Sequence, residues 1–214
     1  MEHRKKTLKQ IVHDEVFKDI IQGMYKPGDI ISEVLLTEKF GVSKAPVREA
    51  LIELCNENVL RSIPRYGYEI IPITSTDVKN LREFRQLIEC GCLRKHWNCF
   101  TPARLDELES IASFKPKSPN YDDITSLWEN NNHFHLTLMS YYGNKYMYDE
   151  LARTLNVLTR AFAQMYWDKW SGLIPDSTVN ENIEHRELIR LIRENDIEGA
   201  VLCLDRDIIE ITKK

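Results

Sequence analysis

"SEVLLTEKFGVSKAPVREALIELCNEN", residues 32–58, carries two short helical patterns with a brief break between them, and that break decides how the first third of the chain folds. Ser32 is placed to cap a helix carrying Leu35, Leu36 and Phe40, because a serine hydroxyl can accept from an amide of the first turn. Gly41 ends that helix, since glycine enters the left-handed conformation at least cost. Ser43 is placed to cap the next helix, and Pro46 sits in its first turn, where a missing N–H does no harm. Val47, Ala50, Leu51 and Leu54 then recur on one face, leaving Lys44, Ala45 and Arg48 at the exposed N-terminal end.

Upstream, Leu8, Ile11, Val12, Val16, Phe17, Ile20 and Ile21 recur at helical spacing until "GMYKPGD" (23–29) breaks the pattern with Gly and Pro. Downstream, "LRSIPRYGYEIIPI" (60–73) changes period, two β-rich pieces flanking "RYG" as a hairpin. Three helices with a tight turn between the second and third, followed by a hairpin, make a winged helix-turn-helix whose third helix enters a major groove. Basic side chains at the start of that helix can reach guanine edges or phosphates, and Arg65 at the hairpin tip can reach the flanking backbone or minor groove. The plainer alternative is a small helical domain with ordinary surface Lys and Arg.

The chain has 214 residues, 43% of them hydrophobic, enough for one large or two small cored domains. No apolar run approaches the roughly 20 residues that span a bilayer, and the basic opening "MEHRKK" leads into no apolar signal core, so a cytoplasmic protein is expected. The five cysteines, Cys55, Cys90, Cys92, Cys99 and Cys203, include no Cys-x-x-Cys pair and read as small hydrophobes rather than disulfides or a thiolate zinc site. The net charge is −4, with 11 Lys+Arg against 11 Asp+Glu in residues 1–75. Any DNA binding must therefore come from local placement of charge rather than bulk attraction.

From residue 75 onward strand patterns disappear. Ser75, Thr76 and Asp77 open a helix running past Leu81, Phe84, Leu87, Ile88 and Leu93, and Thr101 with Pro102 start another carrying Leu105, Leu108 and Ile111. After "KPKSPN" (115–120), helices are expected over 122–142, 145–168, 180–194 and 197–211. Six or so helices with short connections make an antiparallel bundle, so the chain divides at 1–74 and 75–214. No internal repeat or low-complexity tract is present.

A bundle core should be apolar, so the informative residues are polar ones inside apolar stripes. Ile124, Leu127, Trp128, Phe134, Leu138 and Tyr142 form one stripe, into which helical spacing inserts Asn131 and His135. His133 lies about 200° around the helix from His135 and points away. His185 shares a face with Leu188, Ile189 and Ile192, and Asp207 shares one with Ala200, Leu204 and Ile211. A buried carboxylate is costly unless paired or bound to a cation, so Asn131, His135, His185 and Asp207 suit a divalent ion such as zinc, nickel or manganese. The rival is a metal-free hydrogen-bonded network with Asp207 ion-paired to a histidinium. Arg85, between Leu81 and Ile88, is either a helical pair with Glu89 or a guanidinium clamp for a carboxylate ligand.

The motifs "PGD" (27–29), "SE" (32–33), "FGVS" (40–43), "PVREAL" (46–51) and "PRYG" (64–67) closely resemble, in order and spacing, the DNA-binding domain of the GntR family of bacterial transcription regulators. The resemblance implies DNA contacts from Ser43, Lys44, Arg48 and the wing around Arg65 and Gly67. Val34 stands where the family often has Arg, and Ala45 where it has Thr, both removing polar contacts. "REFRQLIE" (82–89), "FHLTLMSYYGN" (134–144) and "EHRELIRLIRENDIEGA" (184–200) resemble the ligand-sensing helical FCD domain of the FadR-type subfamily. Many members of that subfamily hold a divalent metal with one Asp and three His, near which a small organic acid binds. The resemblance places those ligands at Asn131, His135, His185 and Asp207, so that Asn stands for the Asp and Asp for the last His. One Arg and a metal-like cluster facing one core point to an effector carboxylate at Arg85, with His135 and His185 at the same cavity.

The expected protein is a homodimeric, ligand-responsive regulator on a palindromic operator, binding a small carboxylate, and not an enzyme. Its rivals are a metal-dependent bundle enzyme with an accessory DNA reader and a metal-free scaffold bound to DNA constitutively. Against the enzyme, no paired Glu-x-x-His motifs occur and no Glu is placed as a base beside the cluster.

Overall fold

The computed structural model describes residues 6–115, 121–170 and 183–210, with the backbone alone at 121–125, 165–170 and 210. The expected side-chain positions of Ile124 and Ile211, the loop residues 116–120 and the helical start at 180–182 lie outside what is described. The chain divides into two compact units, one of Met1–Ser75 with Val157–Asp168, the other of Thr76–Asn156 with Lys169–Lys214.

The first unit is the winged helix-turn-helix. Helix α1 spans Leu8–Ile21, and Thr7 and Gln10 close its start reciprocally, the Gln10 amide donating to the Thr7 hydroxyl and the Thr7 amide to the Gln10 side chain. Strand β1, Ile30–Ile31, precedes α2, Glu33–Phe40, whose first turn Ser32 caps through the Val34 amide. Gly41, at φ 62°, ends α2 in the left-handed region, and α3 follows over Lys44–Asn56. Ser43 occupies the N-cap of α3, but its hydroxyl accepts no capping bond from that helix.

Strands β2, Leu60–Ile63, and β3, Gly67–Ile70, form the expected hairpin. The sheet has a further strand, in antiparallel order β1-β3-β2, with Ile31 opposite Tyr68 and Leu60 opposite Ile70. Two residues are too short a run for a periodicity argument, which is why β1 escapes a reading of the sequence. Val12, Val16, Ile20, Leu36, Val47, Ala50, Leu51, Leu54 and Ile70 pack as one buried cluster, so the stripes of α1 and α3 face each other as their spacing dictates. Arg160, on a later helix (α8, Lys145–Trp170), is buried in this unit and donates to the carbonyls of Val59 at 3.3 Å and Asn58 at 2.8 Å. Burial pulls its guanidinium down to about 10.

The second unit is helical. Helix α4, Ser75–Arg85, continues through a widened π-helical turn at Gln86–Cys90 into α5, Gly91–Lys95. Helix α6, Pro102–Ala112, starts at Thr101, whose hydroxyl accepts from the Arg104 amide, with Pro102 in the first position. The remaining helices are α7, Tyr121–Ser140, the first part of α8, α9, Ile183–Arg193, and α10, Ile197–Glu210. Phe134, Leu138, Leu151, Leu188, Ile189, Ala200 and Leu204 share a core with Leu93, Leu105 and Leu108.

On the inner face of α4 and the turn that follows, Arg85 is buried, as its place between Leu81 and Ile88 suggests, and Glu89 is buried with it. Leu87 is 71% exposed and Leu81, Phe84 and Ile88 are half-buried, whereas Arg85 and Glu89 are each 1% exposed. A hydrophobic pattern gives the core to apolar residues, but a mutually neutralising ion pair can occupy it when its remaining valences find partners.

Candidate functional site

Two arrangements carry chemistry, one in each unit. In the first, Lys44 begins α3 exposed to solvent, with Ser43 and Ala45 exposed beside it. Arg48, one turn on, is also exposed, yet its guanidinium is held: Nε donates to Glu33 Oε1 at 3.0 Å and Nη2 to Glu33 Oε2 at 2.9 Å. The Tyr68 hydroxyl donates to the same Oε1 at 3.0 Å, tying the start of α2, the exposed face of α3 and strand β3 together. Arg48, ahead of the counteracting effect of partial burial, holds the Glu33 carboxyl below the usual carboxylate range. Glu33 is visible in the sequence only as part of the "SE" motif and Tyr68 not at all, because nothing in local spacing links positions 33, 48 and 68.

Arg65, at φ 70°, turns the hairpin tip and is exposed. Gly67, at φ 131°, follows it, and a Cβ there would stand 2.5 Å from the Ile31 carbonyl oxygen. The wing therefore meets β1 so closely at this point that only glycine fits.

In the second unit, a chain of buried polar groups begins at Arg85. Its Nε donates to Glu89 Oε1 at 2.6 Å, and Glu89 Oε2 lies 2.7 Å from His135 Nδ1. His135 Nε2 stands 3.0 Å from Asp207 Oδ2, close enough for an ion contact but too poorly aligned for a hydrogen bond, and both atoms lack a hydrogen-bond partner. His185 Nε2 is 3.7 Å from Asp207 Oδ1, and neither ring nitrogen of His185 is hydrogen-bonded, although the ring is buried. That ring stacks on Phe134, the centroids 3.8 Å apart and the planes 8° from parallel.

Burial would raise the carboxyls of Glu89 and Asp207, but neighbouring side chains outweigh it. Arg85 and His135 hold Glu89 below the usual range, and His185 and His135 hold Asp207 well below it. Burial would lower His135, and the Glu89 carboxylate reverses this and raises it.

Among the described residues, His135, His185 and Asp207 form the group whose ligand atoms could share one metal ion, all lying within 4.8 Å of one another. Two imidazoles and a carboxylate suit a borderline divalent ion, and orphaned nitrogens in a buried site are what such an ion would satisfy. Asn131, one turn before His135 on α7, is half-buried, and His133 is exposed. Arg85 Nη2 is a further buried donor with no partner. Glu89 is the member that sequence reasoning missed as part of this group: its pairing with Arg85 was legible at four residues' spacing, its contact with His135 across 46 was not. A surface cleft of about 390 Å³ at the turn between α7 and α8, lined by Met139, Asn144 and Tyr148, includes none of these residues, and the cluster rather than the cleft holds the chemistry.

Residues 8–70 match the family described as bacterial regulatory proteins, gntR family, and residues 80–209 match the FCD domain. The chain is similar to the HTH-type transcriptional repressor RspR of Escherichia coli K12, 27% identical over 60% of this chain and 58% of that protein, so it spans little more than half of that relative. It is similar to the HTH-type transcriptional regulator McbR of the same organism at 23% identity over 95% of this chain and 90% of McbR. The solved structure of E. coli McbR/YncC superposes with a TM-score of 0.77 at 18% identity, covering 96% of this chain and 95% of that one.

Proposed function

Because the chain belongs to the gntR family of bacterial regulatory proteins and carries an FCD domain, and is a transcription regulator rather than an enzyme, we propose that it is a cytoplasmic, ligand-responsive regulator. In this reading residues 1–74 read DNA and residues 75–214 sense a small carboxylate. Two copies of the chain place two α3 helices on a palindromic operator, the symmetry of the dimer setting the half-site spacing. Ser43, Lys44, Arg48 and the wing at Arg65 and Gly67 contact the duplex. No helix among the described residues is long and apolar enough to cross a membrane.

His135, His185 and Asp207 would hold a divalent metal, zinc, nickel or manganese, with Asn131 as a weaker fourth donor. When bound, such an ion supplies a Lewis-acidic position for a carboxylate oxygen. The chain's own part is to orient and neutralise: Glu89 fixes the His135 ring, and Arg85 offers Nη2 to the effector's carboxylate. Effector binding shifts operator affinity by a coupling energy of about 1–3 kcal/mol.

The observation that carries this reading is the presence in one unit of buried polar atoms without a hydrogen-bond partner, His135 Nε2, His185 Nε2, Asp207 Oδ2 and Arg85 Nη2, the two histidines and the aspartate close enough together to share one ion. The test is a footprint of the full chain on selected DNA, with and without small organic acids, together with elemental analysis of protein purified without chelator. A footprint indifferent to every acid, from protein that takes up none of the three metals, would sink it.

A further inference from the structure

The ion pair between Glu33 and Arg48 poses a question for a DNA-reading surface. An arginine whose charge is already matched by a carboxylate gives up little counterion-releasing attraction to phosphate, which is the usual use of a surface arginine against a duplex. Glu33 nonetheless stays beside Arg48, anchored by the Tyr68 hydroxyl on β3 and by its own place in the first turn of α2, where a carboxylate is favoured by the helix dipole. The carboxylate is thus built into the frame, and the arginine leans on it.

Which donors remain matters. Glu33 takes Nε and one hydrogen of Nη2, the side edge of the guanidinium. A guanidinium carries five N–H donors in a fixed fork, so the end edge, formed by Nη1 and the second hydrogen of Nη2, stays available. Two parallel donors on that edge match the O6 and N7 acceptors of guanine in the major groove. Arg48 itself is mostly solvent-exposed, 60% for its side chain, so packing does not fix it and the carboxylate must.

Resting on the reading of α3 as the base-reading helix, we infer that Glu33 is a positioning residue for sequence discrimination: it fixes Arg48 so that its end edge reads a guanine, and withholds it from the phosphates. Tyr68 supports this by holding Glu33. The arrangement exchanges non-specific attraction for specificity, because a pre-oriented fork loses less freedom when it pairs with a base.

The test takes the full chain through binding selection on randomised duplex DNA, as wild type, Glu33→Gln, Arg48→Ala and the double variant, with thermal melting of each. The wild type should select a guanine in each half-site whose preference Arg48→Ala erases. Glu33→Gln should weaken that preference by about tenfold, a decade lying within the discrimination one bidentate pair provides. It should also steepen the dependence of log affinity on log salt by about one unit, as the freed arginine turns to a phosphate. In the Arg48→Ala background Glu33→Gln should change nothing further, whereas a merely structural Glu33 would lower affinity in both backgrounds. If Glu33→Gln fails to fold, Glu33→Asp, charged but one methylene too short to hold both nitrogens, gives the same readout. Full guanine preference in the Glu33 variants overturns the inference, as does an Arg48→Ala protein with unchanged preferences. A wild-type chain that enriches no duplex sinks the proposed function instead.

Discussion

Glu89 Oε2 lies 2.7 Å from His135 Nδ1, a contact made in the core between side chains 46 residues apart in sequence. Since the other Glu89 oxygen accepts from Arg85, one carboxylate joins a cation from its own helix to an imidazole of α7. A carboxylate on Nδ1 fixes which ring nitrogen carries the hydrogen and leaves Nε2 facing Asp207 and His185.

Removing Glu89 should cost far more than removing the pair. Glu89→Ala leaves the Arg85 guanidinium buried with no counter-charge, a loss of about 3–5 kcal/mol of stability for a broken buried pair. Arg85→Met combined with Glu89→Leu keeps the volume without the charges and should be the milder change. Urea unfolding of the three proteins measures this, and a double variant no more stable than Glu89→Ala would count against it.

Gly67→Ala should weaken the wing. A Cβ at this position meets the Ile31 carbonyl oxygen at 2.5 Å, and φ 131° is closed to alanine, so β1 and β3 must part or the hairpin must twist. Strain of this kind costs about 1–3 kcal/mol. A drop in melting temperature accompanied by weaker duplex binding is expected. Unchanged values for both would mean that the strand pair yields without cost.

His13 makes the first unit sensitive to alkali. Its Nε2 is 3.1 Å from both Glu57 oxygens and its Nδ1 3.1 Å from Asp14, and the Glu57 hydrogen bonds, outweighing burial, raise the imidazole from 6.5 to about 9. A group whose folded value is raised contributes its stability fully below the unfolded value and loses it as pH rises through the folded one. The contribution of His13 is therefore complete below about pH 6.5 and gone above about pH 9. Melting temperature followed across that window should fall more steeply for the wild type than for His13→Gln, and parallel curves would remove His13 as the cause.

How far the chain could be read in advance follows from the range of the forces involved. Ser32, Gly41, Thr101 and the stripe Val47, Ala50, Leu51 and Leu54 act within a turn or two, so spacing and capping chemistry reveal them. His135, His185 and Asp207 were legible as buried because a polar residue in an apolar stripe is anomalous wherever the other helices lie. Strand β1, the Glu33 bridge and the link from Glu89 to His135 depend on contacts between distant segments. Arg85, like His135, was legible as a polar residue on the inner face, between Leu81 and Ile88, and its pairing with Glu89 at four residues' spacing supplies the counter-charge that lets it stay buried.

Asp207 should decide whether the cluster takes a metal. The two imidazoles are neutral ligands when they coordinate, so Asp207 is the anionic member of the group that faces His135 and His185 together. A ligand that binds only the folded state stabilises it by about 2.7 kcal/mol when free ligand is a hundredfold above its dissociation constant. Wild-type protein should therefore melt at a higher temperature with zinc, nickel or manganese than with chelator. Asp207→Asn keeps the shape, replaces the carboxylate by a weak amide donor and should abolish that increment. It also removes the anion beside His135, so the metal-free protein should melt at a different temperature from wild type. The quantity to compare is accordingly the difference between metal and chelator within each variant, and an increment in Asp207→Asn equal to that of wild type would place the ion elsewhere in the molecule.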